Sequence, residues 1–596
     1  MKKTNQGQSL LSGAVILMIT TVIVQLVGVF YKIPITAIIG TVGRGYFTSA
    51  YELYTPIYAI SMAGLPVALS KMVSERMATG KYREVRRVRA EAKKLYLLTG
   101  LAGTGILLLL AFPYTHWKIF IHTPNAMWSV ICIAPSILFC CMMSSYRGYY
   151  EGLRNMKPTG YSQVIEAIGK MAFGIIFAIW IRNYGMNQFK ATGEVFGIAC
   201  KNADDAMAAV TPYSTAAAIL GVTAGSVLGL IYLLLRQRTI GDGLTAEMLE
   251  SSPEPASGKE IRHKIIKFAL PVVTSSLVLN ITNLIDTWTI QNRLNAAIYK
   301  NLDLVRGMYL TEITESHICN SDIKDFLYGA YGTSLDFRNI IPTMVMTLGL
   351  SSLPVLSAAW ATKDSGKMKD TIQTVLKTSM LLSVPAGFVM AALAEPILKI
   401  LYIGTNAEAS ISISAPFVVV YGLAAFLISA STPITNMLQA IDRADVPVKS
   451  LLAGATAKII CNYILVGTPS ININGAPLGT IVFYLIVIGY NLTVLLKETG
   501  IKLRIYDTFV KPFLAGAVAG GAALGFYMLF VRILPEGAQG SRLAGFTLAT
   551  LLAAILSIIV WVIALLALKV LSKSNLESLP NGEKIAKVLE KRGLIR

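Results

Sequence analysis

Long apolar runs decide what this chain can fold into. Leu10–Ile39 and Leu543–Leu568 each run past eighteen residues with almost no charge, the signature of a helix that spans hydrocarbon. The composition extends that signal to the whole chain. Of 596 residues, 54% are hydrophobic and 14% charged, against about 25% charged in a soluble domain, and mean hydropathy is +0.59. Three or four soluble domains, a disulfide scaffold, a disordered chain and a coiled coil are all excluded.

Apolar runs and their breakers predict fourteen spans: 10–39, 46–73, 95–114, 126–150, 159–182, 212–235, 265–291, 326–360, 374–394, 411–440, 450–467, 474–496, 510–532 and 543–570. At about 20 residues each they need roughly 280 residues, which the apolar total supplies. The fold class is an all-α integral membrane protein. The first run is too long for a signal-peptide core, and no A-x-A cleavage site follows it.

The net charge of +20 leaves nucleic acid, an anionic membrane surface and an anionic substrate open. Its distribution decides among them. With the N-terminus inside, 36 of 53 Lys and Arg fall in inner segments and 12 in outer ones. That is the positive-inside bias, with both termini cytoplasmic and an even span count. Most of the excess is topology, and nucleic-acid binding loses its support. Nine bases crowd Lys71–Lys94, read as topogenesis and contact with anionic lipid.

Five bases fall within spans: Lys32, Lys170, Arg338, Lys377 and Lys458. Lys377 stands near a span end and can snorkel. Acids within spans include Glu52, Glu166, Asp286 and Asp336. Ionisable groups at membrane depth are costly and normally face a cavity or one another, so they mark a polar path. Lys170 and Glu166 also stand at i, i+4 spacing, which suits a plain helix-face pair.

Four of the six cysteines fall in spans and read as small hydrophobes. With four His and no Cys/His cluster, no metal site is expected. Cys200 and Cys319 both fall in outer loops, where a disulfide is one alternative and two free thiols the other.

The chain repeats itself at half its length. The second span carries Tyr51-Glu52-Leu53-Tyr54-Thr55-Pro56, then Gly64-Leu65-Pro66-Val67-Ala68-Leu69-Ser70. The eighth carries Phe337-Arg338-Asn339-Ile340-Ile341-Pro342, then Leu353-Pro354-Val355-Leu356-Ser357. An Arg-x-x-x-Pro spacing recurs as Arg154–Pro158 and Arg443–Pro447. Spans 1–6 and 7–12 therefore read as two parallel lobes. Such lobes suit alternating access around a central cavity. The expected division is 1–236 for the N-lobe, 237–262 for a linker, 263–500 for the C-lobe, 501–572 for two further spans and 573–596 for a basic tail. Aligning the prolines sets Glu52 opposite Arg338, either as a gating pair or as two charges satisfied locally.

Two runs carry a family resemblance. One is Gly45-Tyr46-Phe47, Ala50-Tyr51-Glu52, Gly64-Leu65-Pro66-Val67-Ala68 and Ser70-Lys71. The other is Tyr146-Arg147-Gly148-Tyr149-Tyr150-Glu151-Gly152, Met156-Lys157-Pro158-Thr159 and Ser162-Gln163-Val164-Ile165-Glu166. They resemble the polysaccharide-biosynthesis and stage V sporulation protein B group, part of the multidrug/oligosaccharidyl-lipid/polysaccharide (MOP) exporter superfamily and related to the MurJ lipid II flippases. The resemblance covers nearly the whole chain.

It implies a MATE-like 6+6 fold plus two C-terminal helices. It also implies flipping of an undecaprenyl-pyrophosphate-linked saccharide, first of all lipid II, to the outer leaflet of a bacterial plasma membrane. The family holds the anionic head group with arginines in helices 1, 2 and 8. Here Lys32 stands near the basic position of helix 1, Gln25 stands where another arginine is expected, Glu52 occupies helix 2, and Arg338 fits the helix 8 role. These departures point to the Bacillus-type branch.

The residues agree with that chemistry. Lys32 and Arg338 can give charge-assisted bonds to pyrophosphate; Lys170 and Lys458 are secondary candidates. No G-x-x-x-x-G-K-[ST] loop is present, so the drive is membrane potential or an ion gradient. Glu52, Asp286 and Asp336 are the candidates for a coupling cation. No cofactor is expected, no enzymatic activity, and a monomer. A MATE-type drug/cation antiporter, a flippase for another lipid-linked polysaccharide unit, a membrane scaffold and a membrane glycosyltransferase are the alternatives. The last would use the long outer loops 183–211 and 293–325, which carry no acidic motif.

Overall fold

The computed structural model describes residues 10–62, 64–533, 542–568 and 570. The expected basic tail 573–596 lies outside the described residues. The chain is a succession of long helices: α1 (Leu10–Met62), α2 (Leu65–Ala78), α3 (Tyr82–His116), α4 (Met127–Gly152), α5 (Lys157–Thr192) and α6 (Ala203–Thr239). There follow α7 (Ala246–Glu250), α8 (Gly258–Lys300), α9 (Leu302–Met308), α10 (Leu310–Glu315), α11 (Ile323–Ala361) and α12 (Ser365–Ala392). The last are α13 (Ala394–Tyr402), α14 (Ile411–Ala440), α15 (Asp445–Leu465), α16 (Gly475–Thr499), α17 (Lys511–Ile533) and α18 (Arg542–Ala567). The predicted apolar segments fall on helices, the second of them across the end of α1 and the start of α2. Among the described residues, eleven stretches are long and apolar enough to cross a membrane. Large apolar side chains such as Leu98, Leu109, Trp180 and Ile563 stand exposed on the helix faces, as hydrocarbon contact requires.

The first two spans depart from expectation. The glycine-rich run Gly40-Thr41-Val42-Gly43-Arg44-Gly45 reads as a connection, yet α1 continues through it. Only Gly40 leaves helical geometry (φ 70°, ψ −178°), a conformation open to glycine, and the helix resumes at once. The real break comes inside the predicted second span. Gly64 takes φ 79° and Pro66 opens α2, because proline suits the first helical turn, where its missing N–H is not needed.

The two long loops 183–211 and 293–325 also shrink. α5 runs to Thr192, and a hairpin of β1 (Glu194–Val195) and β2 (Ile198–Ala199) follows. Phe196 and Gly197 turn it with φ of 49° and 84°, the two positive values a tight hairpin turn needs. Asn202 then caps α6, accepting from the Asp205 N–H at 2.8 Å. Segment 293–325 holds the end of α8 and the short α9 and α10. In it the buried Tyr309 hydroxyl donates to Asn472 Oδ1 at 2.6 Å and accepts from Asn474 Nδ2 at 3.0 Å. Burial pushes that phenol up to about 12. All six cysteines are free, Cys200 and Cys319 included.

The chain falls into two compact units. The first holds the described residues up to Asn292 with His317–Gly329; the second holds Arg293–Ser316 and the described residues from Ala330 on. Residues 263–292 thus group by contact with the first unit. Within that unit α5 and α6 lie close because glycines face each other. A Cβ on Gly221 would collide with the Gly174 backbone, and one on Gly225 would stand 2.6 Å from Glu166 O. Small residues at the seam let membrane helices approach and gain dispersion contact. The segment after α6 folds back onto this unit. Tyr149 OH donates to Asp242 at 2.9 Å, Arg83 Nε to Leu249 O at 2.8 Å, and Arg262 pairs with the buried Glu91. In the second unit α12 packs on α14 through Gly387 and Gly422, and α17 and α18 pack beside α12.

Candidate functional site

The first unit carries a column of aromatic rings along α1. Tyr31, Phe47, Tyr51, Tyr54 and Tyr58 follow one another with centroid separations of 6.3, 4.8, 5.9 and 5.3 Å. From Phe47 on the spacing is i+4, i+3, i+4, so one helix face presents the rings in series. The Gly40 kink keeps Tyr31 on the same column.

Two cations stand against these rings. Lys170 of α5 places its ammonium 5.0 Å from the Tyr31 ring and 5.2 Å from the Tyr51 ring. Arg44 of α1 stands 5.2 Å from the Phe47 ring and is buried. All three distances lie within cation–π range. Arg44 and Glu166 also lie close enough to the Tyr51 hydroxyl to act on it electrostatically. A desolvated cation beside flat rings is suited to a phosphate with a sugar stacked beside it.

Sequence reasoning missed Arg44 because it counted that residue among outer-loop bases. The helical spacing of the aromatics was the available signal.

Glu166 belongs to a different arrangement. Arg147 of α4 donates to Glu166 Oε2 and to Ser162 Oγ, each at 2.8 Å. Cys140 approaches Glu166 Oε1 at 3.9 Å and Ser226 Oγ at 3.2 Å. The pair is mostly buried, with side-chain exposures of 15% and 26%. Removing one partner of such a pair strands the other charge. We expect Arg147→Met to lower stability by about 1–3 kcal/mol, read as denaturant or thermal unfolding. Adding Glu166→Gln is expected to recover much of the loss; unchanged stability in the single variant would contradict a structural role.

At the end of this unit remote from Lys71–Lys94, the start of α11 is fastened to α1, α8 and the α3–α4 connection. Buried Lys324 donates to Ile121 O, His122 O and Thr123 Oγ1 at 2.7, 2.8 and 2.6 Å. It also pairs with Asp325 at 3.5 Å. Thr123 donates to Asp325 Oδ1 at 3.0 Å, and Gln291 of α8 donates to Ser49 Oγ of α1 at 2.9 Å. Glycine makes the contact possible. A Cβ at Gly329 would overlap Thr41 O, and one at Gly45 would overlap Asp325 O. Beside this latch, Tyr328 OH donates to Thr287 Oγ1 at 3.1 Å, and both Glu52 and Asp286 lie within electrostatic reach of that phenol.

The predicted residues thus distribute unevenly. Glu52 and Asp286 come together around Tyr328. Lys170 joins the aromatic column. Lys32 is half-buried on α1, and Gln25 is exposed. Arg338 and Asp336 stand on α11 in the second unit, with Arg338 5.9 Å from the Tyr421 ring and Tyr421 OH bonded to Tyr331 OH at 3.2 Å. Lys458 is buried on α15, where Gly479 of α16 leaves room for it and for Asn462. No cluster of three His, Cys, Asp or Glu with metal-ligand geometry occurs among the described residues.

Comparison with known proteins bears out the family resemblance at both ends of the chain. A family model described as "Polysaccharide biosynthesis protein" matches residues 10–192, and one described as "Lipid II flippase MurJ" matches residues 339–538. The lipid II flippase MurJ of Bacillus subtilis (strain 168) is 24% identical over 511 residues, covering 84% of this chain and 85% of that protein. Stage V sporulation protein B of the same organism is 21% identical over 585 residues, covering 96% and 98%. Among solved structures, a lipid II flippase MurJ in an inward closed conformation matches with TM-score 0.58 at 14% identity, covering 92% of this chain and 98% of that one. An inward-facing multidrug resistance MATE family transporter of the MOP superfamily matches with TM-score 0.57 at 14% identity, covering 80% and 98%.

Proposed function

For a multi-pass membrane protein of MATE-like fold, whose homologues are MurJ-type flippases and MOP transporters, we propose transport of an undecaprenyl-pyrophosphate-linked saccharide, lipid II first, from the inner to the outer leaflet. Such homologues are transporters rather than enzymes. The observation that carries the reading is the cation and ring column, in which Lys170 stands between Tyr31 and Tyr51. A pyrophosphate linked to a saccharide asks for cations at membrane depth and for flat surfaces beside them. In this reading Lys170 and Arg44 join Lys32 and Arg338 as head-group contacts. Glu52 and Asp286 serve as the coupling-cation site. A drug/cation antiporter would want uncompensated acid beside that column, whereas Glu166, which reaches Tyr51 electrostatically, is held by Arg147.

Both termini lie in the cytoplasm by the charge bias, which sets the Lys324 latch at the outer end. Alternating access then requires the latch to open. The protein acts as a monomer, driven by membrane potential at about 2.3 kcal/mol per charge per 100 mV or by an ion gradient.

The test is depletion in a host lacking other lipid II flippases, with outer-leaflet lipid II as the readout. Wild-type protein is expected to restore it, and Lys32→Ala and Arg338→Ala to restore it poorly. Full rescue by both variants would refute the head-group assignment; no rescue by wild type would refute lipid II as the substrate.

A further inference from the structure

We propose that the second unit holds a resident anionic phospholipid of the inner leaflet, its phosphate seated on Lys377 and Lys511 where α12, α17 and α18 meet. This site stands apart from the transported substrate and rests on the reading above only for which leaflet is the inner one.

Lys511 opens α17, next to a π-helical turn at Tyr506–Val510. Such turns are frequent at functional sites. The Lys511 side chain is 10% exposed; it pairs with Asp507 at 2.6 Å and lies 5.5 Å from the Tyr506 ring. Lys377 of α12 is half-buried and lies within electrostatic reach of both Lys511 and Asp507. Among the described residues no carboxylate stands within ion-pair distance of Lys377. Two ammonium groups therefore share one carboxylate in a partly desolvated place. A net positive charge there is costly unless an anion offsets it.

One helical turn deeper the surroundings turn apolar. Leu381 follows Lys377 by four residues and Ala515 follows Lys511 by four, so each sits on the same face as its lysine. Leu381 and Ala515 pack with Leu565 of α18, and Trp561 packs against them. An unpaired cation with an apolar seam one turn below forms the pattern of a phosphate head with an acyl chain beneath it. Basic pockets between spans on the cytoplasmic side are where anionic head groups bind. Lys502 and Arg504 lead into the same helix end, which places it on the basic side. Snorkelling alone would account for Lys377; it leaves two ammonium groups, one of them the buried Lys511, against a single carboxylate.

The experiment titrates the purified full-length protein in detergent with phosphatidylglycerol or phosphatidylcholine, counting retained lipid by native mass spectrometry. Wild type is expected to retain phosphatidylglycerol preferentially. Lys377→Gln with Lys511→Gln is expected to weaken that retention on the order of tenfold. Lys190→Gln with Lys201→Gln, two exposed bases outside the Lys71–Lys94 segment, is the charge-matched control and is expected to keep it. Should the double variant fail to fold, Lys377→Gln alone decides, since it removes only the unpaired ammonium. Equal retention of the two lipids, or retention unchanged in Lys377→Gln, would overturn the proposal. Competition by millimolar inorganic phosphate as strong as by phosphatidylglycerol would show a free-anion site and overturn the lipid assignment.

Discussion

Lys170→Met is expected to reduce transport of the lipid-linked saccharide by one to two orders of magnitude while leaving the amount of folded protein near wild type. A hydrogen bond to a charged group contributes about 1.5–3 kcal/mol, and each 1.4 kcal/mol is about tenfold. Lys170 reaches the column from α5, standing 5.0 and 5.2 Å from two rings of α1, so methionine keeps the packing and removes only the charge. Lys170→Arg is expected to retain part of the activity, because a guanidinium also binds phosphate and stacks on rings. Arg44→Met is expected to act in the same direction with a smaller margin of folding, since Arg44 is buried. The check is flux in proteoliposomes alongside unfolding temperature. Wild-type flux in Lys170→Met would remove the column from the transport path.

The second large effect concerns the latch. Thr123→Cys with Asp325→Cys, oxidised to a disulfide, is expected to cut transport at least about tenfold, and reductant to restore it. The native Thr123 Oγ1 and Asp325 Oδ1 stand 3.0 Å apart, close enough for the bond to form with local adjustment. Lys324, Gln291 and Ser49 hold the same end together, and the contact of Gly45 with Asp325 and of Gly329 with Thr41 leaves no room between helices. A packed, fully bonded end has two discrete states rather than a graded one, so one covalent tie suffices to arrest it. Comparing oxidised and reduced forms of one variant cancels the cost of the substitutions. Equal transport in both forms would mean that this end does not open during the cycle.

The helices were readable because hydrocarbon demands length and apolarity of each span, and both are local properties. What was not readable has physical causes of the same kind. Gly40 through Gly45 has the composition of a connection, yet one residue absorbs the kink and Arg44 stays helical, which hid a buried cation from the count. Loop 183–211 is polar yet mostly helical overhang, because backbone beyond the bilayer still prefers its own hydrogen bonds. Lys170 was singled out by its depth alone, whereas its neighbours Tyr31 and Tyr51 required the packing of α5 on α1. The latch joins Ser49, Thr123, Gln291 and Asp325, so distant in the chain that no spacing rule connects them. Glu52 and Asp286 were each a candidate for a coupling cation, with Glu52 also aligned with Arg338; that both lie within electrostatic reach of Tyr328 is a tertiary fact. The Arg147–Glu166 pair spans two helices and removes Glu166 from the roster of free acids.

The measurement that bears most directly on the central claim is flipping by the purified protein in liposomes. Fluorescent lipid II is placed in one leaflet, its appearance in the other is followed over time, and a membrane potential is imposed. The account predicts protein-dependent, potential-dependent transfer that Lys170→Met slows at least about tenfold. A wild-type rate no faster than protein-free liposomes, with a MATE-type cationic drug moved instead, would contradict it.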